Sequence, residues 1–417
     1  MSTAWCHAGR DRLHTLMLTC LLSYSGTICP QGIAYDDNVR TLQVMVDDNP
    51  LLPPVFKLGS RSTLNIHWDW MSHEYTRFTY RIEQCNWDWS NNEELFESEF
   101  LSGSNNLPVE EYTKSFNTTQ EYTHYTLTLP NENVTLLLSG NYRVLIYTDE
   151  AEAPVIEARF RVVETEATLV AQVSSNTDIG FNRNHQQVSL QLKYGTIDVT
   201  DPATQIHAIV VQNQRASRTI ICPPPNIRNT RGAEWTHCEA LIFPAGNEYH
   251  KFEILNVNQG GMNVDNIRWY EPFHHATLWV DEPQRNYLSA KDHNGISIPR
   301  APSGHDDTTE AEYIVVHFTL DMPRQNHDIY VSGIWSNTET DPKCKMDYNE
   351  ADQCYEAGIL LKQGYYEYQY ITQDGETAPT MGNFWQTENE YQTYIYYRED
   401  GGRHDRIVAY NLVRSQQ

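Results

Sequence analysis

Positive charge is scarce in this 417-residue chain. Lys and Arg number 30 against 55 Asp and Glu, giving a formal net charge of −25 at pH 7. Phosphate binding needs clustered cations, so nucleic acid is excluded as a partner. Loose adsorption to an anionic membrane surface is excluded on the same ground. No Cys-x-x-Cys occurs, which removes zinc-ribbon and thioredoxin readings. There is no His-Glu-x-x-His, Gly-x-Ser-x-Gly, phosphate loop or Gly-x-Gly-x-x-Gly. Beyond the N-terminal region no apolar run reaches membrane-spanning length. No long amphipathic helix and no short-period repeat is visible. No enzyme chemistry, metal or cofactor is expected.

Aromatic residues are abundant. They make up 12% of the chain, with 26 Tyr and 10 Trp, a composition suited to strands. The length suggests about three domains. Residues 1–34 read as a leader: Arg10 and Arg12, an apolar run from Leu13 to about Ile28, then a small-residue site at Gly32-Ile33-Ala34. Residues 35–164 read as a first β-sandwich. Phe78, Tyr80 and Ile82 alternate with polar neighbours; Tyr125, Leu127 and Leu129, then Tyr142, Val144 and Ile146, repeat that period of two. Residues 165–300 read as a middle β domain and 301–310, rich in Pro, Gly and charge, as a linker. Residues 311–417 read as a third sandwich. The predicted class is all-β, with tandem antiparallel immunoglobulin-like sandwiches.

The other motifs have plain alternatives. His237-Cys238-Glu239 reads as structural, because strand neighbours face opposite ways. His274 and His275 point apart for the same reason, and His305-Asp306-Asp307 lacks a calcium-loop pattern. Cys222 with Cys238, and Cys344 with Cys354, are expected to form local disulfides in an oxidising compartment, each worth about 3 kcal/mol. Cys85 is expected as a buried thiol. Trp87 and Trp89 flank Asp88 just past a strand end. Either one packs inward while the other covers the turn, or both are exposed anchors. Trp335 and Phe384-Trp385 carry the same two readings. Tyr366, Tyr368 and Tyr370 share a strand face that suits a core, a sugar platform or a protein interface.

Several blocks occur in a fixed order: Cys85 to Ser90, Ser115 to Thr118, Tyr122 to Tyr125, Leu129 to Asn133 and Ser139 to Tyr142. Further on come Phe243 to Glu248, Asp292 to Gly295, Ile329 to Ser336, Leu361 to Tyr370, Thr387 to Tyr391 and Tyr396 to Arg398. The chain thereby resembles the plug protein family of the Bacteroidota type IX secretion system. Trp87 and Gln84 depart from the family pattern, which favours a small residue and a histidine there. The resemblance implies a non-enzymatic periplasmic protein that docks on a giant outer-membrane β-barrel translocon of the SprA/Sov type and closes its pore. Asn86, Trp87, Asp88, Trp89 and Ser90, with Phe116, Asn117 and Trp335, are the expected partner-binding residues. The segment Gly333 to Trp335 also resembles glycogen-binding modules, which makes a carbohydrate-binding surface protein the alternative. A glycoside hydrolase is the third reading, for which no catalytic domain is apparent.

Overall fold

A computed structural model describes residues 31–415. The described elements are strands, with three single-turn α-helices and three 3-10 turns. The class is all-β, as the alternating patterns indicate.

In the first module two sheets face each other. One orders Gly32–Ala34, Ile156–Val163, Gly140–Thr148, Phe78–Cys85 and Leu107–Pro108, with Val55–Lys57 adding parallel to Ile156–Val163. The other orders Val39–Val46, Leu64–Trp70, Thr123–Leu129 and Glu111–Lys114. The period-two residues meet between them: Phe78, Tyr80, Ile82, Tyr142, Val144 and Ile146 pack on Trp68, Tyr125, Leu127 and Leu129. Phe78 stands edge-on to Trp68 at 5.4 Å and to Tyr125 at 4.7 Å. Such pairs add about 1 kcal/mol each beyond the area they bury.

The expected leader overlaps this module. Gly32–Ala34 is a strand in register with Ala158, Glu157 and Ile156. Asn337 accepts from the Ala34 N–H at 2.6 Å and donates to its carbonyl at 3.0 Å. A cut after Ala34 would delete that strand, so residues 32–34 belong to the folded body. The remainder of the expected leader, with Cys6, Cys20 and Cys29, lies outside the described residues.

The sheets divide the rest of the chain differently from the expected boundaries at 300 and 311. The middle module pairs Thr168–Ser174, His185–Lys193, Gly232–Trp235, Ile227–Asn229 and Ile242–Pro244 in one sheet. Its second sheet joins Thr219–Ile221 and Ile206–Gln212 to Glu390–Tyr397 and Arg406–Arg414 at the far end of the chain. The third module is inserted between them. It stacks His250–Ile254, Gly364–Thr372, Ser297–Pro299 and Ile329–Ser332 on a sheet of Val264–Tyr270, Phe273–Leu278, Tyr313–Leu320, Cys354–Lys362 and Asp347–Asn349. The Pro- and Gly-rich residues 300–310 form a loop inside this module rather than a linker. Every residue of Glu390–Tyr397 is buried. One face serves the middle core; the other, with Tyr394 and Tyr396, packs with Val163, Ile209 and Ile407 against the first module.

All five described cysteines are free thiols, so neither expected disulfide is present. Cys222 and Cys238 flank the middle core as packed apolar groups. Cys344 is buried in the third core, while Cys354 donates weakly to Glu356 at 3.7 Å. Burial pushes the Cys85 thiol up to about 12, which leaves it inert.

Candidate functional site

The expected partner anchors lie at the junctions between modules. Asn86 to Ser90 make a tight turn after Phe78–Cys85. The Asn86 N–H donates to Ser90 O, the Trp89 N–H donates to Asn86 O, and Asp88 caps Ser90. Trp89 takes a left-handed conformation, φ +67°, which is costly for a bulky residue. The turn thereby points its indole inward, and Trp89 is buried. The ring lies between the guanidinium groups of Arg159 and Arg161, at 5.0 and 4.9 Å. Arg161 also covers the Tyr394 ring at 4.1 Å and donates to the Tyr396 hydroxyl. Tyr396 donates in turn to Asn141 at 2.8 Å.

The Trp87 ring stacks on His207 at 4.4 Å, and the Trp87 backbone N–H donates to Asp405. Arg398 grips Asp405 through two nitrogens and reaches Asn86. Trp87 therefore joins the first module to the middle one, while Trp89 packs inward and backs Arg161, which reaches the middle module through Tyr394 and Tyr396. This is the arrangement with one indole inward and the other over the turn, not a pair of exposed anchors. Sequence could not reveal this, because Arg398 and Asp405 lie about three hundred residues away.

A second junction joins the first and third modules through buried charge. Asp69 is fully buried and accepts from Lys362 Nζ at 2.7 Å, from the Tyr313 hydroxyl at 2.8 Å and from His124 Nδ1 at 2.7 Å. Lys362 Nζ also donates to the Thr308 carbonyl at 2.6 Å and lies 4.3 Å from the Tyr122 ring centre. Burial alone would raise the Asp69 carboxyl, but the ammonium and the imidazole outweigh it and hold it low. Nearby, Glu312 accepts from the Thr119 and Gln120 N–H groups, and the Phe116 N–H donates to Thr309 O. The loop carrying Phe116 and Asn117 is thus pinned while Phe116 stays exposed at 64%.

Trp335 is half-buried. It donates to the Glu367 carbonyl at 2.9 Å and stands edge-on to Tyr366. A Cβ on Gly333 would come within 2.1 Å of the indole nitrogen, so that turn admits no side chain. Tyr366, Tyr368 and Tyr370 are buried, and the last two donate to one oxygen of Asp281. The tyrosine face builds the third core and offers no sugar platform. A cleft of about 300 Å³ opens between the first and third modules, lined by Leu42, Val44, Tyr313, Trp335 and Leu360. His274 and His275 do point apart; His275 meets His317 at 2.8 Å. Among the described residues no group of three or more His, Cys, Asp or Glu has the arrangement of a metal site.

Two further blocks converge where the chain enters the third module. Glu248 is buried and Asp292 half-buried, and desolvation pushes the Asp292 carboxyl up to about 8. Glu248 accepts from Tyr287 and from the Glu388 N–H on one oxygen. Its other oxygen faces the Asp292 carboxyl and has no other partner. Burial raises both carboxyls above their usual values, which favours a proton between them. Because the folded value is raised, the stabilisation is complete below about pH 4, where the unfolded acid is also protonated, and it is lost as pH rises to about 8. Glu248→Gln supplies the shared hydrogen permanently. It is expected to flatten the decline in melting temperature between pH 5 and 8, as thermal melts would show.

The arrangement defines a class: a multi-sandwich β protein whose recurring blocks fasten its modules together. Residues 39–164 match the type 9 secretion system plug protein 1st domain. The match places the first module in the type IX secretion system plug protein family. A crystal structure of a hypothetical protein from Parabacteroides merdae is similar throughout, with 34% identity, a TM-score of 0.89, and coverage of 93% of this chain and 100% of that one. A Streptococcus agalactiae AgI/II polypeptide BspA C-terminal domain aligns over 93% of this chain and 98% of its own at 8% identity, with a TM-score of 0.14. Comparison with curated proteins finds no match.

Proposed function

We propose that this chain is a non-enzymatic plug that docks on the periplasmic opening of the type IX translocon barrel, of the SprA/Sov type, and closes it between substrates. The family match carries the reading. A barrel wide enough for cargo is an aqueous channel, so closure needs a body too rigid to be threaded. The Asp69–Lys362 and Arg161–Tyr394 junctions support such a body, since they link three modules by buried charge and a cation stacked on a ring. The net charge of −25 favours fast, salt-sensitive docking on a basic rim. A stable complex needs an interface above about 1,000 Å². The burial of Tyr366, Tyr368 and Tyr370 in the third core weighs against the carbohydrate alternative at that face.

The test is affinity purification of the tagged protein from detergent-solubilised envelope. The giant barrel is expected to co-purify, with a yield that falls as salt rises. Recovery of the protein alone from well-solubilised membranes would overturn the reading.

A further inference from the structure

The first module's aromatic core is left open at one edge. Trp68 stacks on Tyr125 at 5.4 Å, Tyr125 on Tyr112 at 5.6 Å, and Tyr112 meets Tyr75 at 5.2 Å. The first two are fully buried, while Tyr112 is 43% and Tyr75 56% exposed. This row of rings therefore runs from the core to solvent. Tyr112 lies on Glu111–Lys114, the last strand of its sheet, where all four residues are exposed. Among the described residues that strand pairs only with Thr123–Leu129. The Ser115 N–H donates inward to Tyr122 O. By alternation along an antiparallel ladder, Tyr112 and Lys114 direct their backbone groups outward.

Next along the chain is exposed Phe116. Gln120 donates to the Pro272 carbonyl at 2.9 Å, which joins this loop to the turn of the third module's outermost hairpin. There Trp269 and Tyr270 are exposed, on Val264–Tyr270, another edge strand that pairs on one side only among the described residues. The flanking charge is mainly acidic: Glu74, Glu110, Glu111, Glu121 and Glu271 are exposed. The basic groups are Lys114, Arg268 and Arg77, the last of them 4.0 Å from Asp149.

We infer that this edge is a docking surface for an extended polypeptide segment of a partner. The segment adds as a strand to Glu111–Lys114, lays an apolar side chain on the Tyr112–Tyr75 step and carries flanking Lys or Arg. A second copy of this chain is disfavoured, because each would bring a net charge of −25 to the contact. The inference rests on the plug reading, under which the segment belongs to the periplasmic side of the barrel.

The test measures binding of detergent-solubilised barrel to immobilised protein. Lys114→Pro removes an outward N–H and no bond of the existing ladder; Tyr75→Glu with Tyr112→Glu spoils the apolar step. Each is expected to weaken binding at least tenfold with an unchanged circular-dichroism spectrum. Ile227→Glu, on a different exposed edge strand, is expected to have no effect. Wild-type affinity in both folded variants, or equal weakening by Ile227→Glu, overturns the surface while the plug reading stands. Failure of wild-type protein to bind the barrel overturns the plug reading itself, and this inference with it.

Discussion

Lys362→Met is expected to destabilise the protein by about 3–5 kcal/mol, because removing one partner of a buried ion pair strands the other. Asp69 would keep the Tyr313 hydroxyl and His124 but lose its neutralising ammonium. Asp69→Asn is expected to cost a similar amount, since Lys362 is equally buried and burial already pulls its ammonium below the usual lysine value. Changing both, Asp69→Asn with Lys362→Met, is expected to recover most of the loss. Urea titrations of the two single variants and the double variant give the coupling. Additive losses would mean that the pair does not fasten the modules.

The same junction fixes a response to acid. The Asp69 carboxyl is held below its unfolded value, so its contribution is fully present above about pH 4. It is lost as falling pH protonates the buried carboxylate. Lys362→Met is expected to lose that part of the acid dependence. The Glu248–Asp292 pair has the opposite sign, since its stabilisation fades toward alkaline pH. Between them the two buried sites favour an intermediate pH for the intact three-module body.

The strands were legible because burial on one face leaves a period of two, as at Phe78, Tyr80 and Ile82. The order of the modules was not legible. Ile206–Gln212 pairs with Tyr391–Tyr397, and no local pattern records a partner nearly two hundred residues away. Residues 300–310 carry a linker's composition, yet Ala301 and Thr309 are buried and Asp307 accepts from the Ala301 N–H. The aromatic blocks misled for a related reason. Trp87 and Trp89 have the chemistry of interface anchors, but Trp87 joins modules of one chain and Trp89 packs inward. Of the expected anchors only Ser90, Phe116 and Asn117 remain exposed, and the neighbouring Tyr75 and Tyr112 were overlooked. A tyrosine on a short strand flanked by glutamates was the available signal.

Trp89→Ala is expected to cost about 3–5 kcal/mol, and Trp89→Gly about 1 kcal/mol less. The backbone explains the difference. At φ +67° alanine inherits the left-handed strain without the ring that offsets it, whereas glycine adopts that conformation freely. Both variants remove the plate between Arg159 and Arg161. Arg161 then relies on the Tyr394 ring and the Tyr396 hydroxyl alone. Those remaining contacts hold the first module against the buried Glu390–Tyr397 strand, and the guanidinium that makes them is no longer backed by the indole. The connection near Glu164, where the Glu164 N–H donates to Ile407 O and Arg406 pairs with Glu164 and Glu166, should then open more often. Limited proteolysis is expected to cut near residues 164–167 faster in Trp89→Ala than in wild type. Small-angle scattering should show a larger radius of gyration. If alanine and glycine are equally stable, the strain argument fails. If neither changes proteolysis or scattering, the indole is not what aligns the first module, and rigidity must rest on the Asp69–Lys362 junction.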